Sequence, residues 1–432
     1  MNVLILGSGG REHALSEIYC KSKSVKKVFV LPGNGLIDFK NKKVELVSGI
    51  DIFDIEKIIN FCKKQNIIHV DVSSDDPIAK GFVDKLNNAD VYAFGPSKAS
   101  SEIEWSKKWA RYFMQKYKLP VPKFKVFNNQ ETAIKYINSI PEQALFIKAS
   151  GLAAGKGAIK ASNKKEALHA ISSMKDFGKA GETFLIEECM IGEEFSLFAI
   201  CDGKNYQIIK TAQDHKTVYN ADKGPNTGGM GCTTPAKIVN SKLLKEIELV
   251  ILKPFMKGMQ KENRPYTGIL YLGGMLTKEG IRIVEFNARW GDPEAQVILP
   301  GIKTDYIKII NAVKKQELNK LKIISDNKTR ISVAGCSRGY PNDYSEIKNK
   351  EIFGINSILK NKSTIIYGAG IKRKNNKFFV NGGRIFHLVA FGKNIIEARK
   401  NAYCLMSSVY IQNNGLHYRT DIGWRDVKRI IK

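Results

Sequence analysis

The chain has 432 residues, 43% of them hydrophobic and 26% charged, which predicts a globular protein of about three domains at roughly 150 residues each. The formal net charge is +27, but the lysines are scattered, so the excess indicates a compositional bias with a smaller share serving phosphate ligands, and nucleic-acid binding is disfavoured. Seven cysteines without a C-x-x-C pair indicate a reducing, cytoplasmic setting, and no apolar run reaches the roughly 18 residues of a membrane span.

The amino-terminal part alternates apolar strands with helical patterns. Such alternation predicts a parallel sheet whose ligand-binding loops lie at the carboxyl ends of the strands. The predicted strands are 3–6, 28–31, 67–72 and 91–94, with one helix after the first strand and another around 52–64.

A glycine-rich turn, Gly7-Ser8-Gly9-Gly10, follows the first strand. It differs from a dinucleotide-binding loop, because Glu12 stands where the third glycine of G-x-G-x-x-G belongs and no acid ends the second strand. Two interpretations remain open. The turn either offers backbone N–H groups to a phosphate at a helix start, or it is a tight turn that requires glycine.

The rest of the chain mixes strands and helices without an internal repeat, and a polar link near 318–329 sets off its last part. Helices are predicted at 105–118, 164–175 and 239–261, beyond Asp305, and at 394–409. Strands are predicted at 124–127, 144–149, 184–188, 193–200, 266–276, 330–336, 363–367 and 385–391.

The segment K-A-S-G-L-A-A-G-K-G (148–157) combines three glycines with two lysines. It is not a Walker A loop, which has four residues between its glycines and a Ser or Thr after the lysine. Exposed N–H groups and two cations in a mobile loop suit a cover over a polyphosphate. We favour this interpretation over a plain glycine-rich hairpin.

A second loop, A-Q-D-H-K-T-V-Y-N-A-D-K-G-P-N-T-G-G-M-G (212–231), is too long for a plain connector and is therefore predicted to be functional. It contains Asp214, His215 and Lys216. His215 could act as a general base, but a lone histidine in a polar loop is more often a hydrogen-bonding structural residue, and that interpretation is favoured.

The segment I-V-E-F-N-A-R-W-G-D-P-E (283–294) is predicted to begin as a strand and to end in a turn. Alternation places Ile283, Glu285 and Asn287 on one face of that strand. Side chains two apart on a strand lie about 6–7 Å from each other, so Glu285 and Asn287 can share one small cation. An edge strand with solvated polar residues is the alternative. The adjoining R-W-G-D-P-E favours a metal-dependent, phosphate-binding site.

Taken together, six motifs resemble the glycinamide ribonucleotide synthetase family of the ATP-grasp superfamily over essentially the whole chain. They are G-S-G-G-R-E-H, K-A-S-G-L-A-A-G-K-G, A-Q-D-H-K with G-P-N-T-G-G-M-G, Y-T-G-I-L-Y, V-E-F-N-A-R-W-G-D-P-E and N-G-G-R. The resemblance implies an α/β fold, with α+β character in the ATP-grasp part, in three domains. They are an N-terminal Rossmann-like domain (1–104), an ATP-grasp domain (105–320) with a mobile lid of about 123–190, and a small C-terminal α/β domain (325–432).

The resemblance also implies the reaction. ATP phosphorylates the carboxylate of glycine, and the amine of 5-phosphoribosylamine attacks the resulting acyl phosphate, giving glycinamide ribonucleotide, ADP and phosphate in purine biosynthesis. Mg²⁺ or Mn²⁺ is the implied cofactor, ATP is a co-substrate, and the partners are small molecules, with neither nucleic acid nor membrane and with a monomeric state.

Site residues follow from matching positions. The implied metal ligands are Glu285 and Asn287. The implied ATP-binding residues are Lys107, Lys148, Gly151, Gly155, Lys156, Gly157, Glu187, Glu188 and Glu194, with Glu187 and Glu188 at the adenine and Glu194 at the ribose. The implied substrate-binding residues are Gly9, Gly10, Asn34, Asp75, Asp214, Arg289, Asp292 and Glu294. Among these, Arg289, Asp214 and Lys156 are predicted to be catalytic, and Trp290 is predicted to pack.

Three positions depart from the family pattern. Ser73-Ser74-Asp75-Asp76-Pro77 replaces the usual G-P-E-A-P, Thr217 stands where an arginine is usual, and Lys223 stands where a small residue is usual. The alternative functions are another ATP-grasp ligase or carboxylase, a basic nucleic-acid-binding protein, and an inactive scaffold. The paired Glu285 and Asn287 disfavour the last of these.

Overall fold

A five-stranded parallel sheet forms the amino-terminal unit in the computed structural model, which describes residues 1–39, 41–153, 155–361 and 363–431. Its elements are β1 (Asn2–Gly7), α1 (Gly10–Lys21), β2 (Lys27–Pro32), β3 (Val44–Leu46), α2 (Ile55–Lys64), β4 (Ile67–Val72), α3 (Asp75–Ala79), α4 (Phe82–Asn88) and β5 (Ala93–Phe94). The strand order is β3-β2-β1-β4-β5, as the alternating pattern predicts. Helices cover both faces, because Val3 packs in one core with Leu15 of α1 while Leu4 packs in another with Ile58 of α2.

A four-stranded antiparallel sheet with two helices follows. Its elements, with the two short helices that precede them, are α5 (Glu102–Trp105), α6 (Lys107–Lys116), β6 (Phe124–Phe127), α7 (Gln130–Ser139), β7 (Leu145–Ala149), β8 (Ala158–Ala161), α8 (Lys164–Ser172) and β9 (Phe184–Glu188). The strand order is β6-β9-β7-β8. The helix predicted at 105–118 is confirmed as α6, although it begins two residues later and Trp105 belongs to the separate short helix α5. Ser106 is extended and accepts a hydrogen bond from the N–H of Trp109 at 3.3 Å, so it caps a new helix after α5.

The third unit is built on long antiparallel strands. Its elements are β10 (Gly192–Asp202), β11 (Tyr206–Asp214), β12 (Thr217–Tyr219), β13 (Lys223–Asn226), β14 (Gly231–Thr234), α9 (Ser241–Ile247), α10 (Lys253–Lys261), β15 (Thr267–Thr277), β16 (Gly280–Asn287), α11 (Glu294–Ile298) and α12 (Tyr306–Lys314). A π-helical turn joins α9 to α10, so the predicted helix at 239–261 is continuous.

Some of the carboxyl-terminal strands extend the same sheet, and four others form a separate antiparallel sheet. The elements are β17 (Thr329–Ser337), β18 (Glu351–Phe353), α13 (Ile355–Lys360), β19 (Thr364–Gly368), β20 (Ile371–Lys374), β21 (Lys377–Val380), β22 (Arg384–Gly392), α14 (Ile395–Met406), β23 (Tyr410–Ile411), β24 (Leu416–His417) and α15 (Trp424–Ile431). The order β16-β15-β10-β11-β14-β17-β22-β19 runs through both units, because β14 pairs with β17. The last part of the chain is therefore joined to the third unit by backbone hydrogen bonds.

Two sequence predictions about the environment can be compared with the fold. All seven cysteines lie within the described residues, and each is a free thiol. Among the helices that the structure describes, none combines the length and the apolar character needed to span a bilayer.

Candidate active site

The end of β16 carries the predicted metal ligands, and its geometry corrects the predicted alternation. Gly273 pairs with Glu285 while Gly274 pairs with Ile283, so Val284 is an extra residue that forms a β-bulge. The bulge shifts the alternation by one. Ile283 consequently lies in the same apolar core as Phe286, not on the face of Glu285 and Asn287, as predicted.

Glu285 and Asn287 do share a face, with Nδ2 of Asn287 3.4 Å from Oε1 of Glu285. Burial alone would raise the pKa of Glu285, but Lys216, Lys107 and Lys148 bring it below its usual value. Glu285 is therefore an ionised carboxylate among three ammonium groups. This arrangement suits a site where a metal ion and polyphosphate oxygens meet.

The donor set fits a hard divalent cation that keeps part of its own shell. One carboxylate and one amide oxygen are the ligand types that Mg²⁺ accepts, with water and phosphate oxygens completing its coordination. No cluster of three or more His, Cys, Asp or Glu side chains able to hold a metal occurs in the described part of the chain. A cation held by Glu285 and Asn287 would therefore take its remaining ligands from water or from phosphate oxygens.

A buried ion cluster lies beside this pair, on β9 and α6. Glu187 accepts hydrogen bonds from Arg111, with Nε to Oε1 at 2.6 Å, and its Oε2 lies 2.7 Å from Nζ of Lys148. Burial opposes ionisation of Glu187, but Lys148 and Arg111 lower its pKa to about 2. The guanidinium of Arg111 also donates to the carbonyl of Val284 at 2.7 Å, which ties the cluster to the bulge.

Glu188, the other residue predicted at the adenine, accepts a hydrogen bond from the N–H of Lys123 at 2.9 Å. The side chains of Glu187 and Glu188 thus hold β9 against α6 and the start of β6. Contact with a base stays a prediction for this segment.

The predicted phosphate-covering loop leads from β7 to β8. The N–H of Ala149 donates to the carbonyl of Gly157 at 2.8 Å, and Lys156 is exposed. Gly151 approaches the backbone so closely that a Cβ there would lie 2.7 Å from Cα of Ala180, and Gly155 has a φ of +76°. Both positions therefore require glycine. Ligand contacts of Gly151, Gly155, Lys156 and Gly157 stay predictions.

Lys216 is a site residue that the sequence did not single out beyond its loop. Its Nζ lies 3.0 Å from Oε2 of Glu194, the residue predicted at the ribose. Glu194, acting with Glu285 and Asp214 against burial, raises the pKa of Lys216 well above its usual value. Lys216 is thus a permanent cation beside Glu194, predicted at the ribose, and Glu285, predicted at the metal. The sequence signal that could have identified Lys216 was its position at the end of the motif A-Q-D-H-K.

The carboxyl groups of Asp214 and Glu294 lie close to each other, and Asp214 also lies near Lys216. Burial, and next the negative charge of Glu294, raise the pKa of Asp214 well above its usual value. Glu294 accepts hydrogen bonds from the hydroxyl of Tyr271 at 2.7 Å and from Oγ of Ser196 at 3.1 Å. Asp214 accepts one from the N–H of His215 at 2.7 Å. The predicted residues Asp214 and Glu294 are therefore brought together.

His215 itself is structural, as predicted. The side chain is only 1% exposed, and Nε2 accepts a hydrogen bond from the N–H of Gly423 at 3.0 Å. Burial lowers the pKa of His215 to about 3, so it is neutral.

Arg289, in the turn after β16, is held by two acids. Its Nε donates to Oδ1 of Asp75 at 2.6 Å, and its Nη2 lies 3.0 Å from Oε1 of Glu104. Burial raises the pKa of Glu104 to about 7, against the opposing charge of Arg289. Glu104 was missed because a single acid in a short helix carries no sequence signal. Trp290 packs as predicted, stacked on Phe198 at 5.3 Å.

Asp292 connects the start of α1 to β22. Its Oδ1 lies 3.4 Å from Nη2 of Arg384 and 3.3 Å from Nε2 of His387, and its Oδ2 accepts from the N–H of Arg11 at 3.3 Å. Although burial opposes ionisation, Arg384 and His387 hold the pKa of Asp292 well below its usual range. Arg384 belongs to the N-G-G-R motif, but its contact with Asp292 is visible only in the fold.

Three of the predicted substrate-binding residues, Gly9, Gly10 and Asn34, lie at the start of α1 and in the loop after β2. The N–H of Gly9 donates to Oε2 of Glu12 at 2.7 Å, and a Cβ on Gly10 would lie 2.5 Å from Nε2 of Gln296. Asn34 donates to the carbonyls of Ser8 and Gly368 and accepts from the N–H of Leu36. The side chain of Asn34 thus fastens two loops to each other. Ligand binding by Gly9, Gly10 and Asn34 stays a prediction.

Solved structures of low sequence identity share the overall fold. A biotin carboxylase of Campylobacter jejuni matches with a TM-score of 0.72 at 16% identity, over 96% of this chain and 92% of that one. At that identity the match shows the fold alone. Together with the site and with the ATP-grasp family model that matches residues 105–295, the fold defines a three-domain ATP-grasp enzyme. Enzymes of this class use ATP with a divalent metal ion.

Family models show which family of ATP-grasp enzymes the chain matches. Phosphoribosylglycinamide synthetase models match in three parts, the N domain at 1–104, the ATP-grasp (A) domain at 105–295 and the C domain at 330–425. The chain belongs to the phosphoribosylglycinamide synthetase family.

Individual relatives agree with the family. The phosphoribosylamine–glycine ligase of Caldanaerobacter subterraneus subsp. tengcongensis is 40% identical over 98% of this chain and 99% of its own. The human trifunctional purine biosynthetic protein adenosine-3 is 41% identical over 98% of this chain and 42% of its own. The solved phosphoribosylamine–glycine ligase of Thermotoga maritima matches with a TM-score of 0.80 at 31% identity, over 98% of this chain and 100% of that one.

Proposed function

We propose that this protein ligates glycine to 5-phosphoribosylamine at the expense of ATP, giving glycinamide ribonucleotide, ADP and phosphate in purine biosynthesis. The observation that carries the proposal is the arrangement at the end of β16. Glu285 and Asn287 face the lysine cluster of Lys107, Lys148 and Lys216, and the next turn supplies Arg289, Asp292 and Glu294. The full-length relatives named phosphoribosylamine–glycine ligase support it.

The reaction needs positioning and charge neutralisation more than a protein nucleophile. The γ-phosphoryl group passes to an oxygen of the glycine carboxylate, and ADP leaves. The amine nitrogen then attacks the acyl carbon, loses a proton and expels phosphate. Lysine side chains that neutralise developing negative charge, and an arginine held in one geometry, supply what such transfers require.

The proposed site residues form two groups, one that binds ATP and one that binds glycine and phosphoribosylamine. The proposed ATP side is Lys107, Lys148, Gly151, Gly155, Lys156, Gly157, Glu187, Glu188 and Glu194, to which we add Lys216. Glu285 and Asn287 would hold Mg²⁺, or Mn²⁺ in its place, which would neutralise phosphate charge when bound. The proposed glycine and phosphoribosylamine side is Gly9, Gly10, Asn34, Asp75, Asp214, Arg289, Asp292 and Glu294.

The proposal also includes the domain bounds, the lid, the cellular setting and the oligomeric state that the sequence predicts. The domain bounds are 1–104, 105–320 and 325–432, with 123–190 as a mobile lid over ATP. The protein is proposed to act as a cytoplasmic monomer on small molecules, without nucleic acid. The free thiols of all seven cysteines support the cytoplasmic setting, and the scattered lysines of the sequence disfavour nucleic-acid binding.

The deciding experiment is an ADP-release assay with ATP, glycine and freshly generated phosphoribosylamine. ADP should form only when all three substrates and a divalent cation are present, and glycinamide ribonucleotide should appear in equal amount. If another acid and amine release ADP while this pair does not, the protein is a different ATP-grasp ligase. Steeply salt-dependent binding to DNA or RNA, without ADP release, would instead support a nucleic-acid-binding protein.

A further inference from the structure

The loop that carries Asp214 and Lys216 has two faces. Asp214 and Lys216 point toward the site, where Lys216 lies 3.0 Å from Glu194. The alternate residues, His215 and Thr217, point the other way, toward the carboxyl-terminal end of the chain. This alternation is the ordinary consequence of an extended backbone. Whatever holds His215 and Thr217 therefore sets the position of Asp214 and Lys216.

The carboxyl-terminal segment 417–425 holds that outer face. The N–H of Gly423 donates to Nε2 of His215 at 3.0 Å. Nη1 of Arg419 donates to both the carbonyl and the hydroxyl of Thr217, at 3.1 and 2.9 Å. Nε2 of His417 lies 2.9 Å from the carbonyl of Val218. Four hydrogen bonds thus fasten the loop to this segment, and the paired residues are 199 to 208 positions apart along the chain.

The same segment holds an unfavourable backbone in place. Ala221 and Asp222 both adopt the left-handed conformation, with φ of 57° and 55°, which residues with a Cβ rarely adopt. Oδ2 of Asp421 accepts a hydrogen bond from the N–H of Ala221 at 2.8 Å. Arg419 and Arg425 donate to the two carboxylate oxygens of Asp222, at 3.1 and 2.6 Å. Such a conformation persists only where its surroundings determine it.

Arg419 takes part both in the contacts to Thr217 and in those to Asp222. Its side chain is fully buried, and Nε and Nη2 also donate to the two oxygens of Asp421, each at 2.8 Å. One planar guanidinium therefore joins Thr217, Asp222 and Asp421. A lysine cannot reproduce this, because its single ammonium lacks the fixed fork of donors.

We propose that Arg419 is a positioning residue for the ligase reaction, acting through Thr217 and Asp222 to hold the loop that presents Asp214 and Lys216. The proposal rests on the proposed function, because Asp214 and Lys216 matter only if the site performs that chemistry. A misplacement of about 1 Å from a distant change can cost roughly a hundredfold in rate. A side chain outside the site thereby determines how well the site works.

The test compares Arg419→Lys and Arg419→Gln with Arg338→Gln in the full chain. Arg338 is the matched control, because its half-exposed side chain donates to the carbonyl of Asn413 and to Glu346, both of which lie outside the loop. The measurements are kcat and KM for each substrate, the thermal unfolding midpoint, and hydrogen exchange of the peptide that spans 214–226.

We expect both Arg419 variants to lose roughly tenfold or more in kcat, with a smaller rise in KM, and to exchange the amides of 215–222 at least about tenfold faster. Arg338→Gln should match the wild type in both. If Arg419→Gln does not fold, Thr217→Val decides, because it removes one acceptor and leaves every charge in place. It should change kcat and exchange in the same direction by a smaller factor.

Unchanged kcat in Arg419→Lys and Thr217→Val overturns the proposal, whether or not exchange of the loop increases. Lower kcat accompanied by uniform faster exchange across the chain overturns it as well, since that result indicates general destabilisation. Failure of the wild type to release ADP with glycine and phosphoribosylamine is a separate result. It overturns the proposed function, and the exchange measurement then still decides whether Arg419 orders the loop.

Discussion

Arg289 and Asp75, which are 214 positions apart, face each other in a two-pronged ion pair. Nε of Arg289 donates to Oδ1 at 2.6 Å and Nη2 donates to Oδ2 at 3.2 Å. The acid stands where the family pattern has a longer glutamate, yet it reaches the guanidinium because it begins α3 directly after β4. The departure from the pattern thus keeps the charge beside Arg289.

Replacing Asp75 by Asn should weaken catalysis without unfolding the protein. A hydrogen bond to a charged group contributes about 1.5–3 kcal/mol, so kcat/KM for phosphoribosylamine should fall roughly ten- to a hundredfold. Glu104 still contacts Arg289, which limits the loss. Asp76→Asn is the matched control, because Asp76 is the exposed neighbour. Equal kinetics for the two variants would contradict the role of Asp75.

Glu285→Ala should abolish ATP turnover and leave the fold intact. The variant removes the carboxylate that we assign to the metal and leaves Lys107, Lys148 and Lys216 with one counter-charge fewer. ADP release should fall by at least about a hundredfold, because charge neutralisation is the main task of such a site. Circular dichroism checks the fold. Glu279→Ala, at the exposed turn before β16, should retain full activity, and near-normal ADP production by Glu285→Ala would refute the metal assignment.

Lys216→Gln should raise the KM for ATP about tenfold or more, since a cation near phosphate or ribose contributes on the order of 1.4 kcal/mol or more to binding. Lys216 lies between Glu194 and Glu285, so the variant also leaves two acids less compensated. Lys223→Gln is the control on the same loop, because Lys223 is exposed. Initial rates at varied ATP concentration measure the effect. A Lys216 variant with an unchanged KM for ATP would place Lys216 outside the nucleotide site.

Asp71 should make stability depend on pH. It is 2% exposed at the end of β4, and burial raises its pKa from 3.8 to about 7, although the hydroxyl of Tyr19 donates to it at 2.7 Å. The folded protein therefore keeps a proton that the unfolded chain releases above pH 4. Its contribution to the unfolding free energy should fall by about 1.4 kcal/mol for each pH unit from pH 4 to 7.

Asp71→Asn should remove that slope, because the amide does not ionise. Below pH 4 the variant and the wild type should differ little, whereas at pH 8 the variant should be the more stable by up to about 4 kcal/mol. Denaturant unfolding between pH 4 and 8 measures the difference. Glu45→Gln, an exposed acid on β3, should leave the slope in place. Parallel curves for wild type and Asp71→Asn would show that Asp71 ionises normally in the folded protein.

Much of the fold was predictable because its signals are local. Short apolar runs marked β1, β2 and β4, and Glu285 and Asn287 share a face because they are two apart on a strand. His215 was correctly interpreted as structural from its setting. The family motifs named most of the lysines and acids that the fold brings together, although Glu104 was missed and Lys216 was not singled out.

The tertiary structure alone decided which site residues contact each other. The sequence by itself determined that Arg289, Asp214 and Lys216 belong to functional segments, since residue type and spacing are local properties. Only the fold paired Arg289 with Asp75 and Lys216 with Glu194, and only the register of β15 with β16 placed the bulge at Val284. Arg419 contacts Thr217 across 202 positions. Such contacts depend on the path of the whole chain, and no local pattern encodes which distant charge will be nearest.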